Sequence, residues 1–561
     1  MSKQNALVKK MVACETIGCI NVICSDKTGT LTENRMTVTD IYDHGALHGP
    51  EQLQNRDLIQ NFCINSTADV HFEQNQPSFI GNPTECALLT AAHKSGIDYT
   101  AVRSGAEVLH VFPFSSETKN MTTVVAAGDG VTVYSKGSPE KIIAMCKMEP
   151  EEKAQAEAEI LRFQSQAGRV IGFAHKQTPR FQDFEAHRAE LEADLVFDGF
   201  VSIKDPLRAD VYEAVARCRS AGIDLKMLTG DNIVTATAIA NDLHLLDEGH
   251  IAVEAKDLEG LSDEEFLEKI PTIRVIARST PSVKMRVVNA LKSLGNVVAV
   301  TGDGINDAPA IKNADVGIAM GITGTEVSKE ASDIVLLDDS FSTIVTAVHW
   351  GRGIYENFQR FIQFQLTVNL SSVIVVLVSV LVGFPAPFTA LELLWINLIM
   401  DGPPALTLGL EPIRDNLMDR APTRRDASIV SRGMLIRIVV NGLYISLIFM
   451  LQHFTNFLGG TEAQMSTILF SLFVVFQLFN ALNSRELSST SIFRNLLRNR
   501  MLLGVFALTF LLQVFITQVG GAFFGTVPLP LEMWVKIIVT GFTVILLSEI
   551  VKFFQRLAAR R

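Results

Sequence analysis

Asp26 follows the apolar run Asn21 to Cys24 and is itself followed by Lys27, Thr28, Gly29 and Thr30, in the stretch ICSDKTGTLTEN, residues 23–34. A carboxylate at a strand tip, with small hydroxyl and glycine residues around it, suits phosphate. Backbone N–H groups and hydroxyls match phosphate oxygens, and a carboxylate can take up a phosphoryl group as a nucleophile. Two further apolar runs end in matching groups. TGD, 229–231, follows Leu225–Leu228, and TGDGIND, 301–307, follows Val297–Val300. Between them Lys284 lies in ARSTPSVK. A carboxylate nucleophile, a phosphate-binding hydroxyl, a lysine and a pair of carboxylates for Mg2+ form a complete phosphoryl-transfer set. The Mg2+ site takes Asp26 and Asp303, because that ion prefers a few carboxylates with water and phosphate oxygens.

Such groups act together only if the fold gathers the strand tips. Open α/β sheets place ligand chemistry outside the carboxyl ends of their strands. NVICS, DLKMLTGD, VIARS and NVVAVTGDG are short, nearly continuous apolar runs separated by helical patterns. They predict a parallel sheet covered on both faces over residues 1 to about 350.

The 561 residues are 48% hydrophobic and 19% charged, with mean hydropathy +0.26. That is apolar for a soluble chain and points to membrane segments. A net charge of −11 argues against a nucleic-acid partner. The 7 cysteines include no CxxC pair, so neither a zinc nor a redox motif is indicated and free thiols are expected. The opening MSKQNALVKK leads into no signal-peptide core.

From about residue 355 six apolar segments are expected to cross a bilayer: 358–383, 388–409, 434–457, 465–482, 502–524 and 533–554. The connection 411–433 carries Arg414, Arg420, Arg424, Arg425 and Arg432. The connection 483–501 carries Arg485, Arg494, Arg498 and Arg500, and the end of the chain Lys552, Arg556, Arg560 and Arg561. The turns 383–389, 453–464 and 520–530 hold no Lys or Arg. The positive-inside rule then puts the first half and the C-terminus in the cytoplasm, as an even number of spans requires.

DKTGTLT, TGD and TGDGINDAPA, in that order, resemble the P-type ATPases, whose catalytic core has the haloacid-dehalogenase-like fold. The resemblance implies that ATP phosphorylates Asp26, with Lys27 beside it, and that Thr28 helps hold phosphate and Mg2+. It implies that Thr229 binds phosphate, that Gly230 and Asp231 organise the site, and that Lys284 offsets charge on the transferring group. Asp303 would hold Mg2+, supported by Asn306 and Asp307. Phosphatases of this fold often carry a second aspartate two positions after the nucleophile. Thr28 stands there instead, so an acyl phosphate should hydrolyse slowly, which suits a pump that changes shape between steps.

Residues 38 to about 202 form an insert large enough to be a domain. GNPTECALL (81–89), VFPFSSETKNMT (111–122) and SKGSPE (135–140) resemble the family's nucleotide-binding domain. By that match Phe114 stacks on adenine, and Glu85, Lys119, Lys136 and Gly137 line the pocket. IKDPLRADV, 203–211, resembles the hinge back to the phosphorylation domain, with Arg208 reaching the nucleotide phosphates. The expected domains are therefore 1–37 and 203–352 for phosphorylation, 38–202 for nucleotide binding and 353–561 for the membrane bundle.

Polar residues at mid-membrane mark ion paths. Asn369 lies in QLTVNLSSV, and Asn397 and Asp401 in LWINLIMDGPP. Residues four apart share one face of an α-helix, and amide and carboxylate oxygens suit a hard cation such as Ca2+. WINLIMDGPPALTLGLEP resembles the sixth membrane helix of calcium pumps and FNALNSRE the end of their eighth. Ser372 and Gln477 stand where the sarcoplasmic-reticulum type has glutamates. Both look like the plasma-membrane type, implying one Ca2+ held by Asn369, Asn397 and Asp401. Glu549, three before Lys552, reads as structural. Proton, sodium or manganese transport stays compatible with these residues.

The opening KQNALVKKMVACETIGC looks like the stalk after the family's fourth membrane helix. The chain contains no Thr-Gly-Glu loop of an actuator domain and no PEGLP-like helix break. The expectation is the C-terminal portion of a calcium pump, its other half truncated away or carried on a separate chain. The alternatives are a membrane-attached enzyme with uncoupled autophosphorylation or phosphatase activity, and a non-catalytic remnant, against which the intact catalytic set argues.

Overall fold

The computed structural model describes residues 4–72, 77–115, 117–166, 168–425 and 427–558; Arg560 and Arg561 of the charge pattern lie outside them. The chain divides into two compact units. One is Ser2–Lys9 with Asn21–Val345, the other Lys10–Ile20 with Thr346–Arg561.

In the first unit an eight-stranded sheet runs in the order Ala6–Val8, Ile334–Leu336, Val316–Met320, Val298–Gly302, Val22–Ser25, Asp224–Leu228, Ile273–Ala277, Ile251–Glu254. Every pairing is parallel except that of the Ala6–Val8 edge strand. The apolar runs read above are these strands. Val298–Gly302 and Val316–Met320 are buried at every position, as expected where helices cover both faces. Burying a residue such as Val300 stabilises by about 1.5–3 kcal/mol. Its packing with Val22, Leu228, Ile276 and Val287 ties the central strands to the helix Pro281–Ser293. Sheet order decides what meets. Val22–Ser25 lies between Val298–Gly302 and Asp224–Leu228, so the residues after three neighbouring strands gather at one carboxyl edge.

The same unit holds a seven-stranded antiparallel sheet, ordered Ala46–His48, Thr37–Asp43, Val196–Lys204, Arg169–Pro179, Gly130–Gly137, Asn120–Ala127, Val108–Phe112. The helices Arg56–Ile64 and Pro83–Lys94 pack Leu58, Phe62 and Leu88 against Phe173 and Val201 of this sheet. Asn55 and Asn82 cap the two helices by accepting from Asp57 and Thr84 N–H groups.

In the second unit, among the described residues, five helices are long and apolar enough to cross a membrane: Phe341–Leu381, Arg432–Thr455, Glu462–Ser484, Arg500–Val519 and Leu531–Leu557. The expected segment 388–409 is helical but not one α-helix. Ala390–Trp395 is α, Ile396–Asp401 is a π-turn, and Gly402–Leu408 is α again. Gly402-Pro403-Pro404 explains the break, since each proline lacks an N–H and its ring clashes with the preceding turn. Phe470, Phe473 and Phe476 of Glu462–Ser484 are fully buried, making that helix the centre of the bundle's core. At its end Arg485 pairs with Glu411 at 2.8 Å and Arg414 with Glu486 at 2.9 Å.

Candidate active site

The carboxyl edge of the parallel sheet carries a compact charge constellation. Thr280 caps the helix Pro281–Ser293, and Lys284 in its first turn sends Nζ to 2.7 Å from Asp26 Oδ2 and 2.7 Å from Asp307 Oδ1. Asp26 Oδ1 accepts from Lys27 N at 2.6 Å, and Asp307 Oδ2 accepts from Gly304 N at 3.1 Å. Gly302 is required sterically: a Cβ there would lie 2.3 Å from Asp307 Cβ. Gly29, at φ 75°, lets the loop after Asp26 turn next to Asp303, whose Oδ2 would be 3.5 Å from a Cβ at that position. Thr28 is half-buried, Thr229 is buried with its hydroxyl accepting from Asp231 N at 3.1 Å, and Gly230 and Asn306 are exposed. Lys27 does not point at the Asp26 carboxylate; its Nζ lies 3.0 Å from Asp231 and 3.8 Å from Asp205.

Asp26, Asp303 and Asp307 face a single lysine. Burial pushes the Asp26 carboxyl above its usual range, opposed by Lys284 and reinforced by Asp307. Asp303 is raised by burial and then by Asp26 and Asp307. Burial pulls Lys284 down, but the two carboxylates outweigh it and raise it overall. The excess of two carboxylates over cations, supplied by oxygen donors, fits a divalent ion such as Mg2+.

In the insert, Lys136 and Glu85 form a buried pair at 2.6 Å. Glu85 also accepts from Thr67 N and Thr67 Oγ1, each at 2.9 Å. Burial raises the Glu85 carboxyl, yet Lys136 and the Thr67 hydrogen bonds prevail and hold it below the usual range. Gly137 passes so near the chain that a Cβ would sit 2.4 Å from Lys119 O. Phe114 is 62% exposed, an open aromatic face. A cleft of about 1270 Å³ is lined by Lys27, Asp205 and Asp231 on the sheet side and by Arg169, Gly168 and Ser138 on the insert side. Phe114 and Lys119 do not line it, and Arg208 is held by Asp338 O at 3.2 Å.

The expected mid-membrane trio differs in burial. Asp401 is buried, with Oδ2 accepting from Gln365 Nε2 and Oδ1 without a partner among the described residues. Asn369 and Asn397 are exposed. Asn397 and Asp401 both lie in the π-turn Ile396–Asp401, whose i→i+5 winding keeps residues four apart near one face, yet only Asp401 is buried. Ser372 bonds within its own helix, to Val368 O at 2.9 Å, while Gln477 reaches Ser371 Oγ at 2.8 Å. Glu549 accepts from Ile492 N at 3.1 Å and lies 3.3 Å from Lys552.

Two family models match the chain: "P-type ATPase, cytoplasmic domain N" over residues 54–210 and "Cation transporting ATPase, C-terminus" over residues 385–554. Among curated proteins it is 38% identical to calcium-transporting ATPase 7, plasma membrane-type, of Oryza sativa subsp. japonica, over 95% of this chain and 54% of that protein. It is 39% identical to calcium-transporting ATPase 12, plasma membrane-type, of Arabidopsis thaliana, over 95% and 54%. It is 37% identical to Arabidopsis calcium-transporting ATPase 4, plasma membrane-type, over 98% and 56%. The chain belongs to the P-type ATPase family. It spans about half the length of these relatives.

Three residues of this P-type ATPase chain matter to the site without standing out in the sequence. Asp205 accepts from Thr32 Oγ1 at 2.6 Å and Arg35 N at 3.1 Å, pinning the loop after Asp26; its place in IKDPLRADV was a usable signal. Asp339 accepts from the N–H groups of Gly321, Ile322 and Thr323 at 2.6–3.0 Å. That orders the turn leading to Thr325, whose N–H bonds Asp303 O at 2.8 Å. Arg169 donates to Thr84 Oγ1 at 3.1 Å, next to Glu85. Neither Asp339 nor Arg169 sits in a motif whose spacing announces it.

Proposed function

We propose that this chain is the phosphorylating and ion-conducting portion of an ATP-driven cation pump, most simply a Ca2+ exporter, working through an aspartyl phosphate on Asp26. The observation that carries the reading is Lys284 held 2.7 Å from both Asp26 and Asp307 beside Asp303. In this proposal residues 1–37 and 203–352 form a haloacid-dehalogenase-like phosphorylation domain, 38–202 the nucleotide-binding domain and 353–561 six membrane spans. The cytoplasmic side holds the first two and the C-terminus, as the arginine-rich connections suggest.

ATP would place its base on Phe114 near Lys119, Lys136, Glu85 and Gly137, with Arg208 toward its phosphates. An Asp26 oxygen attacks the γ-phosphorus, a P–O bond forms, and the bond to the leaving ADP oxygen breaks. Lys284 neutralises charge gathering on the transferring group, while Thr28, Thr229 and Gly230 offer it hydroxyl and N–H donors. Asp231 fixes Lys27, and Asn306 and Asp307 support the loop that carries Asp303. Asp26, Thr28 and Asp303 would hold Mg2+, which supplies neutralisation of phosphate charge. With Thr28 where a general acid would stand, the acyl phosphate lasts long enough to drive a conformational change.

For the transported Ca2+ we propose Asp401 with Asn369 and Asn397. The orphaned, buried Asp401 Oδ1 supports this, because a buried acceptor without a partner is costly. Both asparagines are exposed, which leaves them open to share an ion with further oxygen ligands in a complete pump. The test is phosphoenzyme formation from labelled ATP in membranes, with Ca2+ and with a chelator. A Ca2+-dependent label supports a coupled site. A label indifferent to Ca2+ removes the coupling claim and keeps the phosphorylation claim.

A further inference from the structure

A second cluster of chemistry-bearing side chains lies in the seven-stranded sheet, apart from the groups assigned above. Asp57 is in the first turn of helix Arg56–Ile64, His175 is on strand Arg169–Pro179, and Asp198 is on the neighbouring strand Val196–Lys204. The ladder pairs Phe173 with Gly199 and Ala174 with Phe197, so Asp198 sits at an irregularity opposite them. Bulges of this kind re-aim a side chain. His175 Nδ1 is 2.6 Å from Asp198 Oδ1 and Nε2 is 3.9 Å from Asp57 Oδ2. One donor atom from each of the three residues lies within 4.8 Å of the others. A second, independent observation points to a ligand. Asp198 is only 5% exposed, yet its Oδ2 has no hydrogen-bond partner among the described residues. An orphaned buried carboxylate oxygen is costly, and a bound cation would remove that cost.

We propose that Asp57, His175 and Asp198 form a site for a divalent transition-metal ion of the Zn2+ class. One imidazole and two carboxylates suit Zn2+, whereas Ca2+ and Mg2+ prefer all-oxygen shells. Zn–ligand distances of about 2.0–2.2 Å need donor atoms roughly 3–3.6 Å apart, and only one imidazole nitrogen can bind the ion, so His175 would exchange its Nδ1 contact with Asp198 for the metal while the carboxylates, now within 4.8 Å, draw in around it. Asp57 lies at the open rim and Asp198 at the buried floor, which leaves an entry path. Asp43, near Asp198 and bonded by Asn55 Nδ2 at 2.9 Å, adds negative charge behind the site. The ion ties one helix to two strands. That helix also carries Asn61, which donates to Ser135 O at 3.0 Å and Ala174 O at 3.3 Å, so the metal would brace the chain next to Lys136.

The test uses the full chain purified in detergent, stripped with a chelator and with its free cysteines alkylated, since thiols also take zinc. Equilibrium dialysis against buffered free Zn2+, with Zn2+ alone as the probe, is run on the wild type, Asp57→Asn and His175→Gln. About one ion per wild-type chain is expected, with affinity reduced about tenfold or more in each variant. Zn2+ should also raise the thermal midpoint of the wild type but not of Asp57→Asn. Asp57 is at the rim, so Asp57→Asn should melt like the wild type in chelator, which separates ligand loss from misfolding. Absence of Zn2+ binding by the wild type, or wild-type affinity in Asp57→Asn, overturns the proposal.

Discussion

Lys284→Met keeps the length of the side chain and deletes its charge. Lys284 Nζ lies 2.7 Å from Asp26 Oδ2 and 2.7 Å from Asp307 Oδ1, and all three groups are largely buried. At an effective dielectric constant of about 20 each contact is worth about 6 kcal/mol of gross attraction. Desolvating three charges offsets most of that, and removing one partner of a buried pair costs about 3–5 kcal/mol net. The folded protein has a way to relieve the strain: Asp26 takes up a proton. Asp26, already pushed up by burial, then ceases to be a nucleophile. The loss therefore falls on phosphoryl transfer more than on folding. If all of it appears in the transition state, the rate drops by about 10²- to 10⁴-fold. The assay is the initial rate of label incorporation from γ-labelled ATP with Mg2+ at pH 7, with the thermal midpoint measured on the same samples. Lys284→Arg, which keeps the charge, should recover part of the rate. A Lys284→Met rate within about threefold of the wild type, in a protein that melts normally, would refute the argument.

Other expectations follow from the same geometry. Glu85→Gln or Lys136→Met alone should destabilise the insert by about 3–5 kcal/mol, because each strands a buried charge, while the double variant should recover much of the loss; a double-mutant cycle of unfolding free energies checks it. The Glu85 carboxyl is held below its unfolded value, so its contribution is present above the usual glutamate range and lost as pH falls through the folded value; the acid branch of a stability profile should flatten in Glu85→Gln. Gly302→Ala would drive a Cβ to 2.3 Å from Asp307 Cβ, costing about 1–3 kcal/mol and slowing phosphorylation by displacing Asp307 from Lys284. Asp401→Asn should leave ATP affinity unchanged and weaken Ca2+ activation in a complete pump; unchanged Ca2+-dependent turnover would remove Asp401 from the proposed site.

The strand tips are legible in the sequence because Asp26, Thr229 and Asp303 each follow a continuous apolar run. What draws them together is not. Val22–Ser25 pairs with strands about two hundred or more residues later in the chain, and local pattern is silent about long-range partners. The same limit hides the partners of Lys27: only the folded sheet edge brings it to Asp231 and Asp205. The π-turn at Ile396–Asp401 defeats a different assumption. Spacing arguments take 3.6 residues per turn for granted, and the break caused by Pro403 and Pro404 changes the winding before it. Asn397 is exposed while Asp401 is buried, a difference that four-residue spacing does not foretell. Asp339 and Arg169 act through backbone N–H groups and a hydroxyl, contacts that any Asp or Arg can make and that no spacing advertises.

The central claim is that Asp26 receives the phosphoryl group. Its most direct test is to label the chain with γ-labelled ATP and Mg2+, quench in acid, and locate the label by peptide mapping in the wild type and in Asp26→Asn. An acid-stable, hydroxylamine-sensitive label is expected on the peptide containing Asp26, absent from Asp26→Asn. A label that persists in Asp26→Asn, or that maps to another residue, would contradict it.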